Sequence, residues 1–361
     1  MSTKERRFYC YTDSGGTFTD SLIIDEQGNM FSGKAPTTPA SLDESHIASI
    51  RAAIEGLGMT WEEFVPQIDI AAFGTTAMIN TIVQRRGAKV GAIVTAGFEL
   101  LSWMGRGSQT YSEYSWQGIL HSITHRRLED LVPYDLVRGA TERIDCNGKA
   151  FIPLYENEVK EATADLIAKD VDAIVILFLY SYLNSSHELR AKQIVEEMVA
   201  SAGKNIKVFA SCEVNPIMKE LARFNSVAIE AYAGDICRKS LAKSEERLRA
   251  SGYSKALQVT LSHGGLMPFQ HARMVETAMS GPAGGIMGGK YLADVYGFEN
   301  VITTDVGGTS FDVGLVTKGR VGVKSEPVVA RFILSVPCAE VTSIGAGGGT
   351  IAYLDPYTGR L

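Results

Sequence analysis

Apolar residues fall along this chain in short runs of two kinds, and their order predicts its architecture. Phe8–Tyr11, Ser21–Ile24, Ile68–Phe73, Lys89–Thr95, Ala173–Leu179, Lys207–Ser211 and Leu257–Ser262 are short apolar or β-branched stretches, the pattern of buried strands. Helical spacing covers Leu42–Leu57, Ala77–Arg86, Glu156–Ala168, Ser185–Ala202, Ile217–Arg249 and Gly281–Tyr296. Gly56 and Gly58 close the first of these helices, and Gly87 the second. Val301–Thr304 and Val313–Val316 form a further strand pair, and a last strand region ends in Gly345–Thr350. Strands alternate with helices except where hairpins interrupt, which implies an α/β fold with mixed sheets. Residues 100–145 carry Trp103, Tyr111, Tyr114 and Trp116 without a clear period. They read as irregular, and their aromatic cluster serves a pocket, a subunit interface or plain core packing. No short-period repeat is visible.

One motif occurs twice. Asp13-Ser14-Gly15-Gly16-Thr17-Phe18-Thr19-Asp20 and Asp305-Val306-Gly307-Gly308-Thr309-Ser310-Phe311-Asp312 each lie between two strand runs. Each reads as a β-hairpin whose tip has shed its side chains. Paired glycines permit φ > 0 and a close approach of the backbone to a ligand. Successive N–H groups there form an anion-binding nest, and the Thr hydroxyl adds a donor. The Asp closing the incoming strand offers a carboxylate to a metal ion or to a proton in transit. A single Gly-Gly hairpin is commonplace, whereas two copies with the same flanks imply two related halves facing one cleft.

Composition narrows the class. The 361 residues are 45% hydrophobic and mean hydropathy is near zero, an ordinary globular balance long enough for two domains. A net charge of −6 with no basic block argues against nucleic acid as the main partner. No apolar run has the length of a membrane span, and the N-terminus lacks the apolar core of a signal peptide. The five cysteines are scattered and odd in number, which fits reduced thiols and a cytoplasmic location.

Other motifs leave alternatives open. Phe73-Gly74-Thr75-Thr76-Ala77-Met78-Ile79-Asn80 puts Thr75, Thr76 and Asn80 at a strand end and helix start, as caps or as substrate contacts. Ser280-Gly281-Pro282-Ala283-Gly284-Gly285 is similar, and its proline rules out a Walker loop. Gly347 and Gly348, within Gly345–Thr350, line a ligand or form a turn. His263 follows a strand directly, as a structural residue or a cleft residue. His121 and His125 lack a third ligand, and no metal is expected there.

In order, DSGGTFTD, FGTTAMINTIVQRRGAKVGAIVTAGFEL, SGPAGG, DVGGTSFDV and SIGAGGGTIAYLDP resemble the hydantoinase A / 5-oxoprolinase family. MGRGSQ, THRR, LVPYDLVRGATERID and LDPYTG are similar to its ATP-dependent ketone carboxylase branch, whose subunits act on acetone or acetophenone. The resemblance implies an actin-like, sugar-kinase-like and Hsp70-like ATPase fold. Residues 1–205 would be an N-terminal-like half with the first phosphate loop, and 206–361 the start of a second domain with the other. It implies that Gly15, Gly16 and Thr17, and Gly307, Gly308, Thr309 and Ser310, grip the phosphates of ATP. Asp13 and Asp305 would hold Mg²⁺ and orient the attacking group. The implied reaction phosphorylates a ketone enolate for carboxylation with bicarbonate, in company with other carboxylase subunits. The alternatives are an ATP-dependent cyclic-amide hydrolase subunit and a non-catalytic nucleotide-binding subunit. Two departures stand out: Ser14 replaces a small apolar residue, and Phe73 stands where hydantoinase relatives often have His. The family's later glycine-rich adenosine motif has no counterpart before Leu361, so the fold is expected to be incomplete at its C-terminal side.

Overall fold

A computed structural model describes residues 7–359 apart from 39, 40, 106, 113, 309, 355 and 358. The first hairpin is β1 (Phe8–Ser14) and β2 (Phe18–Asp25), followed by β3 (Met30–Pro36) and helix α1 (Leu42–Glu55). β4 (Ile68–Thr75) then lies parallel to β1, with Asp13 opposite Gly74. Helix α2 (Ala77–Val83) follows. It stops earlier than expected, with Arg85 rather than a glycine in the left-handed region at φ 53°. Gly87 has another purpose. A Cβ there would sit 2.2 Å from the Tyr232 ring, so only glycine lets the chain pass.

A parallel four-stranded sheet is inserted next. It uses β5 (Val90–Thr95), β6 (Val137–Ala140), β7 (Ala173–Leu177) and β8 (Lys207–Ala210), in the order β8-β7-β5-β6. β6 lies inside the stretch expected to be irregular. Its four residues, VRGA, are too short and mixed to carry a strand pattern, and pairing with β5 makes the strand. Helices α3 (Glu156–Ala168) and α4 (Ser186–Ser201) belong to this layer. The long helix α5 (Glu220–Ala250) returns the chain to the first sheet. There β9 (Gln258–Thr260) pairs parallel with β4, and β10 (Leu266–Pro268) closes the edge. The resulting six-stranded order is β10-β9-β4-β1-β2-β3, so this sheet draws strands from both sides of residue 205.

Helix α6 (Ser280–Tyr296) leads to the second hairpin, β11 (Val301–Val306) and β12 (Phe311–Thr317), flanked by β13 (Arg320–Val321) and β14 (Val341–Ile344). No helix among the described residues is long and apolar enough to cross a membrane.

One core histidine ties acidity to stability. His46 of α1 is fully buried, stacks on Phe73 with ring centroids 4.5 Å apart, and meets Ser244 Oγ at 2.9 Å through Nδ1. Its Nε2 is buried without a hydrogen-bond partner. Burial pushes its pKa down to about 4, against the opposing pull of Asp43. The unfolded ring takes a proton near pH 6.5, so the unfolded state holds more protons between about pH 6.5 and 4. Stability is therefore expected to fall as pH drops through that window, by up to about 1.4 kcal/mol per pH unit. Urea unfolding of the wild type and His46→Leu between pH 7.5 and 4.5 checks this; equal pH dependence in both would contradict it.

Candidate functional site

The two hairpins are built to one plan. Asp13 faces Asp20 across the first and Asp305 faces Asp312 across the second. Gly15 N donates to Phe18 O at 3.0 Å, and Gly307 N to Ser310 O at 2.9 Å. These two N–H groups are therefore committed to closing the turns. None of Gly15, Gly16, Gly307 and Gly308 has a positive φ, which corrects the expected reason for the glycines. Gly15 and Gly308 matter for space, a Cβ on Gly15 lying 3.0 Å from Phe18 O. A Cβ on Gly16 would meet nothing within 4 Å, whereas one on Gly308 would lie 3.2 Å from Thr17 Oγ1. The tips thus face each other closely, with Thr17 against Gly308. Thr309 lies outside the described residues. Ser310 Oγ approaches Asp312 at 3.5 Å, a long contact.

The glycine-rich loop after β14 joins the second tip. Gly348 N donates to Gly307 O at 2.9 Å, and Gly347 N to Thr350 Oγ1 at 2.9 Å. The first tip is fixed by hydroxyls instead. Thr37 Oγ1 donates to Gly15 O and Thr37 N to Thr17 O, both at 2.9 Å. Thr76 Oγ1 donates to Ser14 O at 2.9 Å, and Asn80 Nδ2 donates to Thr76 Oγ1 at 3.1 Å. Buried Thr75 accepts from Ala77 N through its hydroxyl, at 3.1 Å. Thr76, supported by Asn80, is engaged in holding the hairpin in place, while the Thr75 hydroxyl caps the start of α2. His263 stands beyond β9 at the same sheet end as Asp13, and its Nδ1 accepts from Gly265 N at 3.3 Å. Among the described residues no hydrogen bond joins the His263 side chain to the tips.

Asp13 lies at the convergence of four elements. A Cβ on Gly74 would be 2.7 Å from Asp13 Oδ1, and one on Gly281 would be 3.4 Å from Oδ2. Ser280 locks α6 to β4: its Oγ takes a bond from Thr75 N and gives one to Thr75 O, both at 3.2 Å. The carboxylate therefore sits beside the N-terminal turn of α6. Asp13 is exposed as a residue, although protein crowds its carboxylate on the sides of Gly74 and Gly281. That partial enclosure, then the charges of Asp20 and Asp305, push its pKa up to about 6. Asp20 has a counter-ion in Lys34 at 2.7 Å. The position opposite Asp312 is Ser343, and Asp312 Oδ1 is buried with no hydrogen-bond partner.

Gly74, Gly281 and Thr37 were not singled out from the sequence. Gly74 and Gly281 lay inside flagged motifs, but only the fold shows that both press on Asp13. Gly74→Ala is expected to swing the Asp13 carboxylate aside and cut turnover at least about tenfold. Gly281→Ala, with ordinary contact distance, should stay within about twofold. Steady-state phosphate release by both variants decides this; equal rates would contradict it.

A family model described as "Hydantoinase/oxoprolinase N-terminal region" matches residues 10–199, and "Hydantoinase/oxoprolinase" matches 223–361. The chain belongs to the hydantoinase/oxoprolinase family. It is 40% identical to the acetone carboxylase beta subunit of Xanthobacter autotrophicus, over 96% of this chain and 48% of the relative. It is 32% identical to the acetophenone carboxylase gamma subunit of Aromatoleum aromaticum, over 97% of this chain and 48% of the relative. A nucleotide-free structure of acetone carboxylase superposes with a TM-score of 0.90 at 40% identity, covering 98% of this chain and 50% of the other. The ATP-dependent caprolactamase of Pseudomonas jessenii superposes at 0.84 and 32% identity, over 97% and 49%. These likenesses place the chain in the hydantoinase/actin-like ATPase fold. The chain spans about half the length of the curated relatives it matches.

Proposed function

We propose that this chain supplies the phosphate-gripping part of an ATP-dependent ketone carboxylase and phosphorylates the ketone as its enolate. The observation that carries this reading is the opposition of the two tips, Thr17 against Gly308, with Asp13 and Asp305 close enough for one charge to raise the other's pKa. The 40% identity to an acetone carboxylase subunit favours a ketone over a cyclic amide as acceptor. Bicarbonate would be the second substrate, and other carboxylase subunits the partners.

The donor set suits Mg²⁺. Asp305 presents a carboxylate at a strand end, and Asp312 Oδ1, across the hairpin from it, lacks a partner, so the metal need not draw on Asp13. Among the described residues no group of three or more His, Cys, Asp and Glu could hold a metal by itself. Mg²⁺ commonly takes one or two carboxylates and completes its shell with phosphate and water. Bound there, it would supply charge neutralisation for phosphoryl transfer.

The chain's own residues divide the remaining work. The backbone of Gly16, Thr17 and Gly308 approaches the phosphates without side-chain obstruction and offers N–H groups to their oxygens. Asp13, with a pKa near 6, is poised as a carboxylate at neutral pH to take the α-proton of the ketone. The enolate oxygen then attacks the γ-phosphorus while the bond to the β,γ-bridging oxygen breaks. Positioning and charge neutralisation govern such a step more than covalent chemistry does.

The test is phosphate release from Mg-ATP by the assembled complex, with acetone, acetophenone, hydantoin and 5-oxoproline added in turn. Ketone-stimulated release, coupled to bicarbonate, is expected. Stimulation only by a cyclic amide would move the acceptor to the amide class. No stimulation by any of the four would leave a nucleotide-binding structural subunit.

A further inference from the structure

The two tips share a detail beyond their glycines. Adding 292 (305 − 13) to a residue of the first hairpin gives its counterpart in the second, so Asp13 corresponds to Asp305 and Gly15 to Gly307. In each, the carbonyl of the first glycine is held by the segment that follows the third strand. Thr37, directly after β3, donates its hydroxyl to Gly15 O at 2.9 Å. Gly348, beyond β14, donates its N–H to Gly307 O at 2.9 Å. A tight hairpin turn commonly closes with a bond from the N–H of its last residue to the carbonyl of its first. Among the described residues Phe18 N makes no such bond to Gly15 O. That carbonyl is turned out of the hairpin and toward Thr37 instead.

The consequence follows from the planar trans peptide, whose C=O and N–H point in opposite directions. With Gly15 C=O drawn to Thr37, the N–H of Gly16 in the same peptide points away from β3. Gly16 is exposed, and the place of its missing Cβ has nothing within 4 Å, so that N–H faces open space.

Thr37 does not act as a lone hydroxyl. Its Oγ1 lies 2.9 Å from Thr19 Oγ1, which lies 3.3 Å from Ser14 Oγ. A hydroxyl has one proton to donate. Thr37 gives its own to Gly15 O, so Thr19 donates to Thr37 and Ser14 to Thr19. The chain runs one way, from Ser14 through Thr19 and Thr37 to Gly15 O, and in that orientation each bond polarises the next. Ser14 and Thr19 are buried, which keeps water from competing. Ser14, standing where a small apolar residue is expected, is the first donor of the chain. The backbone of Thr37 fixes where its hydroxyl stands, through the bond from Thr37 N to Thr17 O at 2.9 Å.

We infer that Thr37 is a positioning residue for phosphate binding, its hydroxyl turning the Gly15–Gly16 peptide so that Gly16 N–H meets the nucleotide's phosphates. This role rests on the phosphate-gripping reading given under Proposed function. In the second half a backbone amide holds the matching carbonyl, and no side-chain change removes it. In the first half the same hold depends on one hydroxyl.

The test measures binding of Mg-ATP, and of adenosine by competition, to the assembled complex carrying the wild-type chain, Thr37→Val or Thr37→Ser. Thr37→Val keeps the side-chain volume and the backbone bond to Thr17 but lacks the hydroxyl. It is expected to weaken Mg-ATP about tenfold, the size of one lost hydrogen bond to a charged group, and to leave adenosine, which has no phosphate, within about twofold. Thr37→Ser should bind both as the wild type does. Equal Mg-ATP affinity in Thr37→Val and the wild type would overturn the inference while leaving the reading of function standing. A matching loss for adenosine would overturn it as well, because the damage would then be general, and so would a failure of Thr37→Ser to restore binding. A wild-type complex that does not bind Mg-ATP would overturn the reading of function and this role with it.

Discussion

Replacing Asp13 by asparagine is expected to lower ATP turnover by about 10²-fold or more, with the fold intact. The size follows from the site. Asp13 is the carboxylate on which Gly74 and Gly281 converge, and it lies within reach of the charge of Asp305. Its acidity gives the prediction a signature that a structural role would not produce. With a pKa of about 6, the reactive carboxylate form is lost as pH falls, so turnover should drop about tenfold per pH unit below 6. Asp13→Asn should abolish that acid limb along with the activity. The stability sign runs the other way. The native carboxyl binds its proton more tightly than the unfolded one, so between about pH 3.8 and 6 stability declines as pH rises. Asp13→Asn should accordingly melt at or slightly above the wild-type temperature at pH 7. Wild-type turnover in the variant, or a clear loss of thermal stability, would contradict the assignment.

The second large effect is on stability. Arg223 of α5 is fully buried. Its Nε donates to Ser211 Oγ at 3.0 Å, Nη1 to Ile217 O at 2.8 Å and Nη2 to Phe178 O at 2.8 Å. Ser211 Oγ also donates to buried Glu188 at 2.7 Å, and Glu188 accepts from Phe178 N and Cys212 N at the same distance. This network ties the inserted parallel sheet to the long helix that leads back to the first sheet. Arg223→Met would leave the Glu188 charge and two carbonyls buried without their cation. A loss of about 3–5 kcal/mol is expected, on the order of 10 °C in Tm. Guanidinium unfolding measures it, and a loss below about 1 kcal/mol would show that the network does not bind the layers together.

The hairpins were legible in the sequence because two strand runs and a glycine pair are local signals. The helices Glu156–Ala168 and Ser186–Ser201 were legible for the same reason, their 3.6-residue period being uninterrupted. β6 and β10 were not, since strands of four and three residues owe their existence to neighbours distant in sequence. Gly87 looked like a helix stop but is a contact with Tyr232, 145 positions away (232 − 87). The same holds at the site. The paired carboxylates announced themselves through repetition. The cradle of Gly74 and Gly281, and the hydroxyl bonds of Thr37 and Thr76 to the first tip, exist only once distant segments meet.

The central claim is that the two tips grip one nucleotide's phosphates between them. The most direct measurement is a structure of the assembled complex with Mg²⁺ and a non-hydrolysable ATP analogue. The account predicts phosphate oxygens within hydrogen-bond distance of backbone N–H groups from both tips, Gly16–Thr17 and Gly308–Ser310, with the metal beside Asp13 and Asp305. A nucleotide that touches only one tip, or that binds elsewhere, would contradict it.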